Sequence, residues 1–191
     1  EDAENCYSSR VLFTNEDFTK EQIFYAGDNV WVLFAVKDLD LDDVNDVEYM
    51  KKMRAQLKKV EADFDVCIID CAPSLTPRLN AALIAADLVV TPTGATLYDL
   101  HGFSDLIDTI ESIKSHGLNP RLKHAGIVFS RVNLRSKEEQ ENIAQMREYF
   151  GKLVHPVVLA SRAFVASAGS NRHPVWSLTN GASARLAKDE W

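Results

Sequence analysis

Apolar residues recur along this chain in two rhythms. Short, nearly continuous runs rich in β-branched residues occur at VWVLFAV (Val30 to Val36), DVCIID (ending at Asp70), DLVVTP (from Asp87), LKHAGIVFS (from Leu122) and KLVHPVVLA (from Lys152). They lack the alternation of a half-wet strand and match strands covered on both faces, as in a parallel sheet. Between them the spacing turns helical: Val47, Met50, Met53, Leu57 and Val60 share one side, while Lys51, Lys52, Lys58 and Lys59 take the wetter side. Thr76 before Pro77 reads as an N-cap with proline in the first turn. After Asp99, the residues Leu100, Phe103, Leu106, Ile107, Ile110 and Ile113 form a stripe that ends near His116-Gly117. Ser136 with Glu139 predicts a capping box for a helix through Phe150, stopped at Gly151. A last helix is expected over GASARLAKDEW. Strands alternating with helices predict an α/β fold with a mostly parallel sheet and helices on both faces.

Composition narrows the class without naming it. A chain of 191 residues, 46% apolar and 26% charged, suits one domain spanning residues 1–191 with a substantial core. No apolar run approaches the roughly 20 residues that cross a bilayer, and the opening EDAENCYSSR has neither the basic nor the apolar part of a secretion signal. The expectation is a soluble cytoplasmic protein. Cys6, Cys67 and Cys71 are too few and too odd in number for a disulfide framework, and buried structural thiols are expected. The five histidines are scattered with no HExxH pair, and SAGSN at Ser167 to Asn171 is not a GxSxG elbow, which argues against a zinc or serine hydrolase.

Charge is uneven. Through Ser115 there are 10 Lys and Arg against 22 Asp and Glu; from His116 onward there are 11 against 6. A basic second part can meet DNA phosphates, or it can be ordinary solvated surface. The candidates are Arg162, Arg172, Arg185 and Lys188, with Arg131 and Arg135 beside them.

Asp70 ends an apolar run and is followed at once by Cys71, Ala72, Pro73 and Ser74. In an open parallel sheet, ligands sit beyond the carboxyl ends of the strands, so a carboxylate there points into the binding crevice. It can orient water on a phosphate-bound magnesium ion, which keeps several waters of its own. Equally, it can cap the strand by bonding nearby backbone amides.

The stretch DFDVCIIDCAPSLTPRLNAALIAADLVVTPTGATLYDLHGFSDLIDTI resembles the ParA/MinD family of P-loop ATPases, specifically the plasmid and chromosome partition ATPases. IIDCAPS, LNAALIAAD, LVVTP and LYDLHG stand in that family's order, and AGIVFSRVNLRSKEEQENIAQMREYFG and VHPVVLASRAFVASAGSNRHPV continue it. The resemblance implies a P-loop NTPase-like fold of the deviant Walker A class, a homodimer formed around ATP and Mg2+, non-specific DNA binding, and hydrolysis stimulated by a ParB-like centromere-binding partner. No membrane association is expected, and a nucleoid-associated place in a bacterial cytoplasm is. Asp70 matches the family's Walker B aspartate, and Pro73 and Ser74 its switch loop. Asn80 matches the asparagine of the next helix, or simply supplies that helix with polarity. Ser130 and Arg131 match the pair beside adenine, and Ala160 and Ser161 the adenine-proximal turn, with Ala160 where the family often has proline.

The family's KGGxGKT phosphate loop has no counterpart in these residues, nor does its early switch aspartate. The expectation is an N-terminally truncated piece, missing the phosphate-loop unit and inactive by itself, of a full-length ATP hydrolase. Two alternatives stay open: a non-catalytic ParA-like scaffold, and a MinD-like positioning ATPase at the membrane.

Overall fold

The computed structural model describes residues 8–35 and 46–177. They fall into two compact units, residues 1–87 with 108–122 and residues 88–107 with 123–191.

In the first unit the sequence FYAGDNVWV turns back on itself. Strands β1 (Phe24–Gly27) and β2 (Val30–Val32) pair antiparallel. Asp28 and Asn29 sit at φ 50° and 60°. Both central residues of a type I′ hairpin need positive φ, and Asp and Asn tolerate it well. The expected parallel strand from Val30 is thus half of a hairpin, because the Gly27-Asp28-Asn29 turn makes the adjacent Phe24–Gly27 run the nearest pairing partner.

Helix α1 (Val47–Lys59) starts at Asp46, whose carboxylate accepts from the Glu48 amide at 2.9 Å. Lys58 and Lys59 lie in its last turn, where the helix dipole favours cations. It buries Met50, Met53 and Gln56 and packs on α2 (Pro77–Ala85) and on a short 3-10 turn, Ser9–Phe13. Two polar groups hold α2. Arg54 donates to the Ile84 carbonyl at 2.8 Å, and Asn119, 2% exposed, donates to the carbonyls of Leu83 (2.9 Å) and Ala86 (2.7 Å). Those carbonyls lie at the helix C-terminus, where no intrahelical donor reaches them.

The largest departure from expectation is the run DVCIID. Residues 64–76 form neither helix nor strand; Val66 is 75% exposed and Ile68 88%. A strand exists only through its ladder, and among the described residues none pairs with this run. The same lack of cover leaves Cys67 and Cys71 exposed and free, not buried as expected. Cys6 lies outside the described residues.

The second unit carries the parallel sheet. Strands β3 (Leu88–Thr93), β4 (Lys123–Val132) and β5 (Val154–Ala160) lie in the order β3-β4-β5, every pairing parallel. Connections between parallel strands need a crossover, here supplied between β4 and β5 by α4 (Lys137–Phe150). Ser136 Oγ accepts from the Glu139 amide at 3.3 Å, and Glu139 reaches back to the Asn133 amide at 2.8 Å, so the capping box is closed three residues upstream of the N-cap. Gly151 follows at φ 54°, the left-handed stop that glycine adopts without penalty. Ile127, Phe129, Val132 and Val154 from the sheet bury against Phe103 of α3 (Leu97–Ser115) and Ile143 and Met146 of α4. Gly126, inside β4, has φ 151° and approaches so closely that a Cβ would stand 3.0 Å from the Leu153 carbonyl oxygen. Helix α5 (Ala163–Ser170) follows β5; the helix expected over GASARLAKDEW lies outside the described residues.

Candidate nucleotide site

Parallel strands in register present their carboxyl ends together. Val132 at the end of β4 faces Ala160 at the end of β5, and the Ser161 amide donates to the Val132 carbonyl at 2.8 Å. Ser130, Arg131, Ala160 and Ser161 are thereby brought to one edge of the sheet. Ala160 is buried, so only its backbone can face a ligand, whereas Ser130 is half-buried and Arg131 and Ser161 are exposed. Arg131 holds φ 58°. A left-handed non-glycine residue costs about 1–2 kcal/mol, and such strain gathers where a side chain must be aimed. Its guanidinium, planar and always charged, is a stacking surface for an aromatic base. The Ser161 amide is already used in the sheet, which leaves its hydroxyl and carbonyl for recognition.

The acidic candidate lies in the first unit. Asp70 is exposed, and its carboxylate has no hydrogen-bond or ion-pair partner among the described residues. A strand-capping aspartate would bond neighbouring amides, and that pattern is not formed. Immediately after it the chain turns tightly: the Ser74 amide donates to the Ala72 carbonyl at 2.8 Å, and the Thr76 amide to the Ser74 carbonyl at 2.9 Å. Pro73 sits within these three-residue turns, its fixed φ limiting how the loop leaves Asp70. Asn80 lies in the first turn of α2, its amide bonded to the Thr76 carbonyl at 3.1 Å and its half-buried side chain without a partner among the described residues. Partial burial raises the Cys71 thiol above its ordinary pKa, and the neighbouring Asp70 carboxylate adds to the rise. Cys71 is therefore a protonated neighbour rather than a competing anion.

A magnesium ion fits this chemistry. The described residues hold no group of three His, Cys, Asp or Glu side chains able to cage a metal. One exposed, unpaired carboxylate is what an ion needs when it keeps most of its waters and takes its other oxygens from phosphates.

The candidate DNA residues are less gathered. Arg162 precedes α5 and Arg172, at φ 55°, follows its C-cap, so the two flank an eight-residue helix about 12 Å long. Arg135 is exposed, and Arg185 and Lys188 lie outside the described residues. Among the described residues no helix is long and apolar enough to cross a membrane.

Two clusters were not anticipated from the residues. His124 on β4 meets the Thr91 hydroxyl at 2.9 Å, leaving Nδ1 buried and unpartnered, and burial lowers its pKa below the ordinary 6.5. On the hairpin, Trp31 packs on Tyr25 and meets Phe64 edge to face, and the Lys20 ammonium lies over the Trp31 and Phe64 rings. The signal for the second was Gly27-Asp28-Asn29 between two aromatic-rich runs; nothing in the spacing marked the first.

A family model described as an AAA domain, AAA_31, matches residues 7–124. Protein IncC of Escherichia coli is 30% identical over 159 residues, 83% of this chain and 42% of that protein. The chromosome partitioning protein ParA of Myxococcus xanthus is 35% identical over 124 residues, 65% of this chain and 44% of its own length. The chain spans about half the length of the curated relatives it matches. Among solved structures, cobyrinic acid a,c-diamide synthase from Mycobacterium smegmatis, with an ATP analogue and magnesium bound, superposes with a TM-score of 0.71 at 20% identity, over 85% of this chain and 68% of its own. That likeness shows the shared fold. With the family model covering more than half of the chain and relatives at 30% identity and above, this chain belongs to the ParA/MinD-type P-loop ATPases, among relatives named ParA, Soj and IncC.

Proposed function

We propose that this chain belongs to a ParA-like partition ATPase, in which ATP and magnesium close a homodimer, the closed dimer holds DNA without regard to sequence, and a centromere-binding partner stimulates hydrolysis. The observation that carries the reading is Asp70: an exposed carboxylate with no hydrogen-bond or ion-pair partner among the described residues, in the IIDCAPS segment that resembles the family's Walker B motif.

Magnesium, when bound with ATP, neutralises phosphate charge that builds during transfer to water. Asp70 accepts hydrogen bonds from water around the ion, and Pro73 and Ser74 carry any change at Asp70 into the start of α2 and Asn80. In the second unit, Arg131 covers the base and the Ser130 and Ser161 hydroxyls bond its polar edge. The family's phosphate-holding element is a glycine-rich loop of backbone amides, and no Gly-Lys-Ser or Gly-Lys-Thr occurs within these 191 residues. Arg162, Arg172, Arg185 and Lys188 supply phosphate contacts to DNA.

The test is equilibrium binding of a fluorescent ATP analogue to the chain extended to the length of its relatives, with and without magnesium. Asp70→Ala should weaken binding only when magnesium is present; Arg131→Ala should weaken it in both conditions. Magnesium-independent losses in both variants, or none in either, would support a scaffold without nucleotide chemistry.

A further inference from the structure

Asn142 occupies a position on α4 that burial alone would fill with an aliphatic residue. It shares a helix face with Ile143 and Met146, which bury against the parallel sheet, and is itself 7% exposed. Asparagine is a weaker helix former than leucine, and a buried amide costs free energy unless it is hydrogen-bonded. The bond that offsets this cost reaches 47 residues back along the chain, where Asn142 Nδ2 donates to the Ala95 carbonyl at 2.8 Å. Earlier on the same helix, Glu139 accepts from the Asn133 amide at 2.8 Å and Gln140 donates to the Leu134 carbonyl. The first half of α4 therefore holds two loops, the one that follows β3 and the one that follows β4.

Both loops leave the carboxyl edge of the sheet close together. Thr93, Phe129 and Val158 form one rung across β3, β4 and β5, so Gly94 and Ser130 come next along their strands. Ala95, 2% exposed, packs in the same core cluster as Ile143 and Met146, and its carbonyl lies beyond the end of β3. Its methyl group and its carbonyl together fix the Gly94-Ala95-Thr96 loop beside the Ser130-Arg131 pair. We propose that Asn142 is a positioning residue for the nucleotide: by anchoring Ala95 it sets the spacing between this loop and Ser130-Arg131, and so the width of the crevice that takes the base. The proposal rests on the nucleotide reading of this edge. Glu139 fixes the other wall through the Asn133 amide, just after Arg131 and Val132. Asn142 does not touch the ligand and acts through the backbone it holds.

The test is equilibrium binding of ATP and, separately, of inorganic triphosphate, both with magnesium, to the chain extended to the length of its relatives. Triphosphate shares the phosphates and has no base. Asn142→Leu removes the donor while favouring helix and apolar burial, so the fold should be kept. Loss of one anchoring hydrogen bond should weaken ATP binding about 2–10-fold and leave triphosphate binding unchanged. Asn142→Gln keeps a donor and should recover part of the loss. If circular dichroism shows that Asn142→Leu disturbs the fold, Asn142→Asp, which keeps the shape and when ionised cannot donate, takes its place with the same expectation. Where the unsubstituted chain prefers ATP, equal losses for both ligands, or none for either, would overturn the proposal alone by showing that Asn142 serves only the fold. An unsubstituted chain that binds ATP no more tightly than triphosphate would overturn the nucleotide reading of this edge and the proposal with it.

Discussion

Ile68 offers a perturbation whose effect should depend on what lies beside it. Here the residue is 88% exposed, so only about a tenth of its side-chain surface is withdrawn from water. At about 2–3 kcal/mol for complete burial of an isoleucine, Ile68→Ala should cost roughly 0.3 kcal/mol in the 191-residue chain. The family reading gives the run Asp65 to Asp70 a different fate in a longer chain: a strand with neighbours, covered on both faces. There the same substitution removes a buried side chain and should cost about 2–5 kcal/mol. Urea unfolding of both chains, with and without the substitution, measures the difference. Amide exchange at Val66 to Asp70 gives an independent readout, fast in the short chain and strongly slowed in the long one. A cost below about 0.5 kcal/mol in both chains, with equally fast exchange, would refute the idea that this run awaits a pairing strand.

Other outcomes follow from individual contacts. Asn119→Ala orphans the Leu83 and Ala86 carbonyls and should cost about 2–4 kcal/mol, lowering Tm by roughly 5–15 °C in a thermal melt; a shift under 2 °C would show that water replaces the amide. The folded pKa of His124 lies below its ordinary 6.5, so the unfolded state binds the proton first: its contribution to stability is complete above about 6.5 and is lost as pH falls towards the folded value. Denaturation midpoints between pH 5 and 8 should therefore decline on the acid side, and less steeply in His124→Phe. Reversing Arg162, Arg172 and Arg185 to glutamate should weaken binding to unrelated duplexes alike and flatten its salt dependence by roughly 0.9 per lost contact, seen in gel shifts across a salt series.

The second unit was the legible one. Its strands carry their own β-branched runs, and Ser136, Glu139 and Gly151 marked the real boundaries of α4. The first unit was read less well because pairing, not local pattern, decided it. The hydrophobic run at Val30 closed on its neighbour through the Asp28-Asn29 turn, and the run ending at Asp70 stayed unpaired despite an equally strong pattern. Register explains why several candidate residues gather: once β4 and β5 are parallel with Val132 opposite Ala160, Ser130, Arg131 and Ser161 must share an edge. The positive φ of Arg131 and the contact of Phe64 with Lys20 and Trp31 were not legible, because the first is set by how β4 ends and the second joins positions distant in sequence.

Magnesium-dependent ATP turnover by the chain extended to the length of its relatives tests the role of Asp70 most directly. The account predicts that Asp70→Asn, which keeps shape and removes charge, lowers turnover at least tenfold with the fold intact by circular dichroism. Turnover unchanged by that substitution would contradict it.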